Sequence, residues 1–375
     1  MNKKAIFYLA IALLLPSLAF PQTPAEAVAL QQQGKYPEAA DAWQAITQAN
    51  PRDAAAFASL GVVFSKLEKY EDAATAYHRA IALNPKLPGM QLDLGLAEFK
   101  QGHFQQAIVP LSTALAANPH NTQARTLLGL SYYGAQRFTD AIKYLEPAAK
   151  AEPGNMELHQ VLAQSCLAAK KYSCALGQFR QILQQNPDSP ASHVLFAEAL
   201  DGMGKTSEAI AEFQEAAKVA PREPNVHFGL GYMYWKSHQY DAASSEFENE
   251  LSIDSNHAQA LAYLGDIAMK RNDPEKALAL LEKSVKARDD IRIAHLDRGA
   301  ILSEQKHFPE AIAALQKAEK LDPAEPDVHF RLGRVYQAMG NKAASQEEFA
   351  KVRELHQKAD DVASKMPVSP PALHP

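Results

Sequence analysis

The sequence predicts an all-α chain built as a solenoid of about ten 34-residue helix-turn-helix repeats. Three observations carry this. An alanine recurs every 34 residues, at Ala39, Ala73, Ala107, Ala141, Ala175, Ala209, Ala243, Ala277 and Ala311, and the series ends on Ser345 with no insertion or deletion. A second ladder of small residues runs in phase: Ala27, Gly61, Gly95, Gly129, Ala163, Ala197, Gly231, Gly265, Gly299 and Gly333. Proline closes most periods, at Pro51, Pro85, Pro119, Pro153, Pro187, Pro221 and Pro323. A fixed period of this length marks stacked supersecondary units, because one such unit cannot bury its apolar face alone.

The first 19 residues read as a signal peptide: Lys3 and Lys4, an apolar run from Ala5 to Leu15, the break at Pro16, and the small-residue site Ser17-Leu18-Ala19. The run is short for a bilayer span, no cysteine follows it as a lipid anchor point, and no later segment is apolar enough to cross a membrane. The expectation is an exported protein, periplasmic or secreted. The chain carries a formal charge of −5, or −7 once 1–19 takes away its two lysines, and it has no basic block. Phosphate binding needs clustered Lys and Arg, so nucleic acid is not an expected partner.

The repeats span 20–53, 54–87, 88–121, 122–155, 156–189, 190–223, 224–257, 258–291, 292–325 and 326–359, with a capping helix and a proline-rich tail over 360–375. Numbering each from 1 to 34, position 7 is mostly leucine, position 8 is the Gly/Ala ladder, and position 11 is often aromatic, as in Phe64, Tyr132, Tyr234 and Tyr336. Positions 4, 7, 8 and 11 fall on one face of a first helix. Position 17 opens a second helix, usually with Tyr or Phe; position 20 is the alanine ladder; position 24 is always bulky, from Trp43 and Tyr77 to Phe349. Small residues at 8 and 20 let the two helices approach closely. Proline at 32 ends the second helix. At the chain's start, Thr23-Pro24-Ala25-Glu26 predicts a capping box with the first helix opening at Pro24. At its end, a long polar helix is predicted from Ala343 to about Lys365.

This pattern resembles the tetratricopeptide repeat, W-x2-L-G-x2-Y followed by Ala, Phe and Pro. Repeat two is the fullest copy, with Phe57, Leu60, Gly61, Phe64, Ala73, Tyr77, Ala80 and Pro85. The resemblance implies a right-handed superhelix whose concave groove is lined by positions 2, 5, 9, 12 and 13 of the first helices. The groove residues are then Leu92, Leu96, Phe99, Leu130 and Tyr133, followed by Glu198 and Asp201, then Phe228, Tyr232, Trp235 and Asp266, and finally Phe330 and Arg334. Such a groove implies a protein or peptide partner and a non-enzymatic scaffold in the cell envelope. The alternative is a scaffold for polysaccharide synthesis or export, touching glycan through the groove aromatics. The Lys, Asn and Arg set with which the family grips a terminal carboxylate is absent.

Several motifs invite chemistry that the pattern does not support. Ala199 to Thr206 reads A-L-D-G-M-G-K-T, close to a phosphate-binding loop, but it starts inside a first helix rather than after a strand. His159, His193, His227, His295 and His329 share position 4, roughly 10 Å apart in a helix stack, too far for one metal centre. No catalytic constellation, metal site or cofactor motif emerges. Cys166 and Cys174 face each other across a turn, and are read either as a bridge or as one core residue and one partly exposed thiol. Glu250 and Ser284 at position 27 and Arg298 at position 7 break the apolar pattern, predicting a looser region or buried polar groups with partners.

Overall fold

A computed structural model of the chain describes residues 23–365, with side chains as far as 361; the segment read as a signal peptide and the proline-rich end of the tail lie outside the described residues. Twenty helices and no strands are present among the described residues. The chain divides into two compact units between Lys171 and Tyr172. Unit one holds α1 (Pro24–Gln32), α2 (Tyr36–Ala49), α3 (Ala54–Lys66), α4 (Tyr70–Leu83), α5 (Met90–Lys100), α6 (Phe104–Ala117), α7 (Thr122–Gly134), α8 (Phe138–Ala151) and α9 (Met156–Ala168). Unit two holds α10 (Tyr172–Gln185), α11 (Pro190–Gly202), α12 (Thr206–Val219), α13 (Val226–Lys236), α14 (Tyr240–Ile253), α15 (Ala258–Lys270), α16 (Pro274–Ala287), α17 (Arg292–Glu304), α18 (Phe308–Leu321), α19 (Pro326–Ala338) and α20 (Lys342–Lys365).

Within each unit a first helix packs most closely on the second helix that follows it, and each second helix leans on the next first helix. The contact inside a pair is as close as the small-residue ladders require. The alanines from Ala39 to Ala311 are all 0% exposed. A Cβ added at Gly129 would stand 2.6 Å from Leu145 Cδ2, and one at Gly231 would stand 2.8 Å from Phe247 Cδ1. Where position 8 is glycine, it therefore has no room for a side chain opposite the bulky residue at position 24.

Every hairpin turns through the same device. Position 15 is left-handed in all ten turns described, with φ +74° at Gly34, +59° at Glu68, +76° at Gly102 and +64° at Lys306. The following amide reaches back to the carbonyl of position 11, as Lys69 N–H does to Phe64 O at 2.9 Å and Lys205 N–H to Leu200 O at 2.9 Å. This pairing closes a first helix in a Schellman motif and satisfies its free carbonyl. Periodicity hides this turn, because the residue at position 15 is often not glycine.

Helix starts follow the caps. Thr23 Oγ1 accepts from Glu26 N–H while Thr23 N–H donates to the Glu26 carboxylate, and Pro24 opens α1. Besides α1, two first helices start later than the repeat boundary: α5 at Met90 after Gly89 (φ +81°), and α13 at Val226 after Asn225 (φ +70°). At α13 no local side chain caps the helix. Glu250 from α14 does so instead, accepting from Asn225 N–H at 2.9 Å and Phe228 N–H at 3.1 Å. Ser284, buried at the same repeat position, donates to Ala258 O at 2.7 Å. Both polar departures are thus paired with the start of their own repeat.

Position-4 histidines tie neighbouring repeats in unit two. His193 and His227 place Nδ1 against Glu212 and Glu246, and their Nε2–H groups donate to the carbonyls of Pro187 and Pro221 in the preceding repeat. His295 Nε2–H donates to Asp289 O of the preceding repeat, while His329 Nδ1 meets Glu348 of its own repeat at 2.7 Å. In addition, first helices touch the next first helix: α3 with α5, α5 with α7 and α7 with α9 in unit one; α13 with α15, α15 with α17 and α17 with α19 in unit two. This row of first helices brings the candidate groove positions side by side.

A non-glycine residue held left-handed costs about 1–2 kcal/mol, part of which glycine returns as extra freedom in the unfolded chain. Glu68→Gly is expected to stabilise the protein by about 0.5–1 kcal/mol, and Gly102→Ala to destabilise it by a similar amount. Urea midpoints followed by circular dichroism would check both; the same sign for the two changes would contradict the shared turn.

Candidate functional site

In unit one the predicted groove residues lie half-buried on α5 and α7. Leu92 and Phe99 pack against the cluster of Leu111 and Leu128. The Phe99 ring meets Phe104 edge-on at 5.5 Å, and Tyr133 meets Phe138 at 5.9 Å. Tyr133 O–H donates to Gln164 Oε1 on α9 at 2.7 Å, joining position 12 of one repeat to position 9 of the next. Leu96 and Leu130 are likewise half-buried. This part of the face offers apolar patches between helices rather than fully exposed side chains.

In unit two the face is aromatic and charged. On α11, Glu198 is exposed, while Asp201 is taken by Lys236 of α13 at 2.6 Å. On α13, Phe228, Tyr232 and Trp235 are half-buried, and they converge on one ring that sequence reasoning did not single out, Tyr263 of α15. Ring centroids lie 6.0 Å from Phe228, 5.4 Å from Tyr232 and 4.9 Å from Trp235, and Tyr263 stacks on Phe247 at 5.6 Å. Edge and offset contacts of this kind add to the burial of the rings themselves. Burial pushes the Tyr263 hydroxyl up to about 12, helped by Tyr232 and Asp266 and opposed by Arg292, so it stays a neutral phenol. Tyr263 occupies position 6, which falls outside the groove set; it is aromatic only in repeat eight, so periodicity gives it no signal.

Asp266 differs from its reading as an acidic group offered to a partner. It is only 7% exposed. Its carboxylate accepts Trp235 Nε1–H at 2.6 Å and faces Lys270 Nζ at 3.1 Å. The indole one repeat earlier reaches over it at the same 12-to-9 register that joins Tyr133 to Gln164. Trp235 is correspondingly committed to the packing between repeats.

Next to Asp266 lies a buried acid that the sequence did not mark. Asp297 of α17 is 3% exposed. Burial pushes its carboxyl up to about 7, with the Asp266 charge adding to the shift and Arg331, Lys270 and Arg292 opposing it. The nearest cation contact, Arg331 Nη2 to Asp297 Oδ1, is 4.0 Å, and Asp297 Oδ2 has no hydrogen-bond partner. On α19, Phe330 is 48% exposed and Arg334 is exposed. Phe330 holds position 5, the same as Phe228, and among the described residues no first helix comes after α19 and its only ring neighbour is Phe349 at 5.9 Å.

The motifs set aside above have structural places. In A-L-D-G-M-G-K-T the string runs off the end of α11, turns at Gly204 (φ +74°), and its Lys205 pairs with Glu208 at 2.8 Å. Cys166 is fully buried in α9, and neither cysteine is a free thiol.

Paired helices at a fixed period, with a side-chain face running along the first helices, define an all-α repeat solenoid. Models of the tetratricopeptide repeat match residues 25–88, 64–130, 98–165, 167–230, 234–297 and 326–355, and a TPR repeat model matches 299–340. One of these models alone covers more than half of the chain, and the chain belongs to the tetratricopeptide repeat family. Anaphase-promoting complex subunit 3 of Schizosaccharomyces pombe is 25% identical over 135 residues, 36% of this chain; the chain spans only 20% of that relative's length. Among solved structures, the APC/C hetero-tetramer Cut9–Hcn1 aligns over 91% of this chain and 82% of its own with a TM-score of 0.53 at 13% identity, a likeness of fold. YrrB, a TPR protein with an unusual peptide-binding site, aligns over 50% of this chain and 98% of its own with a TM-score of 0.38 at 20% identity. No helix among the described residues is long and apolar enough to cross a membrane.

Asp297 sets a pH dependence. Its folded-state value lies above the ordinary 3.8, so the stability it favours is present at low pH and is lost as pH rises through about 7. Asp297→Asn removes the charge and is expected to be more stable than the wild type at pH 8, by about 4 kcal/mol at most at 1.36 kcal/mol per unit. The gap should narrow towards pH 5. Urea titrations at the two pH values measure it, and a gap that does not change with pH would count against the assignment.

Proposed function

We propose that this protein is a non-enzymatic scaffold that binds a partner protein, as a peptide segment, on the first-helix faces of its repeats. The observation that carries the reading is the aromatic group on α13 and α15. Tyr232 stays half-open above rings that packing has already fixed, so it forms contacts at little cost in side-chain entropy. Exposed Phe330 and Arg334 on α19 give a second apolar and charged contact. The family supports a binding role, and its member in S. pombe is named as a subunit of a multiprotein complex. A glycan-stacking reading has less support, because the Trp235 N–H is already given to Asp266 and its ring edge packs on Tyr263. We further propose that residues 1–19 direct export to the cell envelope, on the basis of their charge and apolar pattern.

The test uses substitutions at open positions rather than in the packing. Tyr232→Ala, Phe330→Ala and Arg334→Glu are expected to weaken capture of an envelope partner by about tenfold or more each, with circular dichroism unchanged. A partner held equally by all three would place the binding surface elsewhere. Separately, the full-length chain expressed in its source should be recovered from the envelope fraction with Phe20 as its first residue by mass spectrometry. An intact Met1 in the cytosolic fraction would refute export.

A further inference from the structure

The first-helix row of unit one contains a gap. At position 12, repeats three and four carry Phe99 and Tyr133, and the facing position 6 of the next repeat carries Leu127 and Val161. Between repeats two and three the same two positions are Ser65 and Asp93. The volume an aromatic ring occupies elsewhere is left as a recess of about 250 Å³ between α3, α4 and α5. That is many times the ~30 Å³ share of one water molecule. Its walls are apolar at Val62, Leu96 and Tyr70, and Tyr77 lines it with its hydroxyl 3.1 Å from Ser65 Oγ.

Asp93 is the group that gives the recess its chemistry. It is half-buried in the wall. Burial alone pushes its carboxyl above the usual range, and no neighbouring cation among the described residues draws it back. The hydroxyl of Tyr77 is pushed up to about 12, first by burial and partly by the Asp93 charge, and stays neutral. Lys66 and Lys100 also line the recess, but both are exposed and neither forms an ion pair with Asp93. A carboxylate that shares the wall of a recess with Val62 and Leu96 is complemented by a cation on a hydrocarbon stem.

We propose that this recess receives the side chain of a lysine or arginine from a partner peptide, its methylenes lying on Val62 and Leu96 and its charged head meeting the Asp93 carboxylate. This rests on the reading that the first-helix face binds a peptide. Desolvated charge-assisted contacts of this kind carry specificity as well as affinity.

The test is methyl NMR of the whole protein, following Val62 and Leu96. N-acetyl-lysine methylamide and N-acetyl-arginine methylamide are added in turn, with N-acetyl-norleucine methylamide as the uncharged isostere and butylammonium as a free amine. The proposal expects saturable shifts from the two cationic amides, about tenfold weaker binding in Asp93→Asn, and no binding in Ser65→Phe, which refills the gap as in repeat three. Asp93→Asn keeps the shape of the wall, so it remains informative if Ser65→Phe does not fold. Equal shifts from norleucine, undiminished binding in Asp93→Asn, or no shift from any probe would overturn it. Butylammonium, the lysine side chain without its backbone, is expected to shift the same two methyls; shifts from it but from neither amide would overturn the peptide source in favour of a small amine. Loss of the probe effect while Tyr232→Ala still weakens partner capture would sink the recess and leave the scaffold reading intact.

Discussion

Everything in this molecule follows from how closely two helices of a repeat approach. The bulky residue at position 24 lies directly over position 8 of its partner helix, where a Cβ would collide with it at Gly61, Gly95 and Gly265. Opposite it, the position-20 alanines are sealed from solvent. Because protein interiors are packed like organic crystals, this contact tolerates neither larger nor smaller side chains easily. Its strictness explains why the period never slips. An inserted residue would rotate position 8 away from position 24 by about 100°.

With the hairpin closed by those positions, the remaining faces of the first helices are free for other uses. Where they meet the next repeat they hold side-chain bonds in a fixed register, position 12 to position 9, as in Tyr133 to Gln164 and Trp235 to Asp266. Charges enter the same row in unit two. Asp266, Asp297, Lys270, Arg292 and Arg331 sit on three successive first helices, and burial pushes the carboxyl of Asp297 up to about 7. Removing charges from water is costly unless they are paired well, so this cluster trades stability for a polar character that an apolar filling would lack.

The repeat and its helix pairs were legible in the sequence because each is encoded at the same position ten times over. Features encoded once were not. Tyr263, Asp297 and Arg331 all stand at position 6, where residues from Gly229 to Leu127 occur, so no pattern points to it. Asp266 was read as open because position 9 lies on the groove face; the large indole of Trp235, one repeat away, covers it, and single-helix geometry contains no term for that. Phe228 and Trp235 were read as groove residues, and their share in inter-repeat packing emerges only when α15 is set beside α13. The left-handed turn residue escaped for the opposite reason: it recurs in every repeat as a conformation, while its identity varies between Gly, Glu, Gln, Lys, His and Asn.

Glu250 shows how a local exception changes the behaviour of a whole repeat. Most first helices begin with a cap from a residue just before them, so their first turn opens and closes on its own. At α13 the cap comes from α14, across 25 residues for Asn225 and 22 for Phe228. The amide protons at the start of α13 are therefore shielded only while the second helix is in place. Fraying, usually the cheapest motion a helix has, is coupled here to opening of the hairpin. Repeat seven, which carries the aromatic face, thus opens and closes as one cooperative element, and the start of that face is tied to its own second helix.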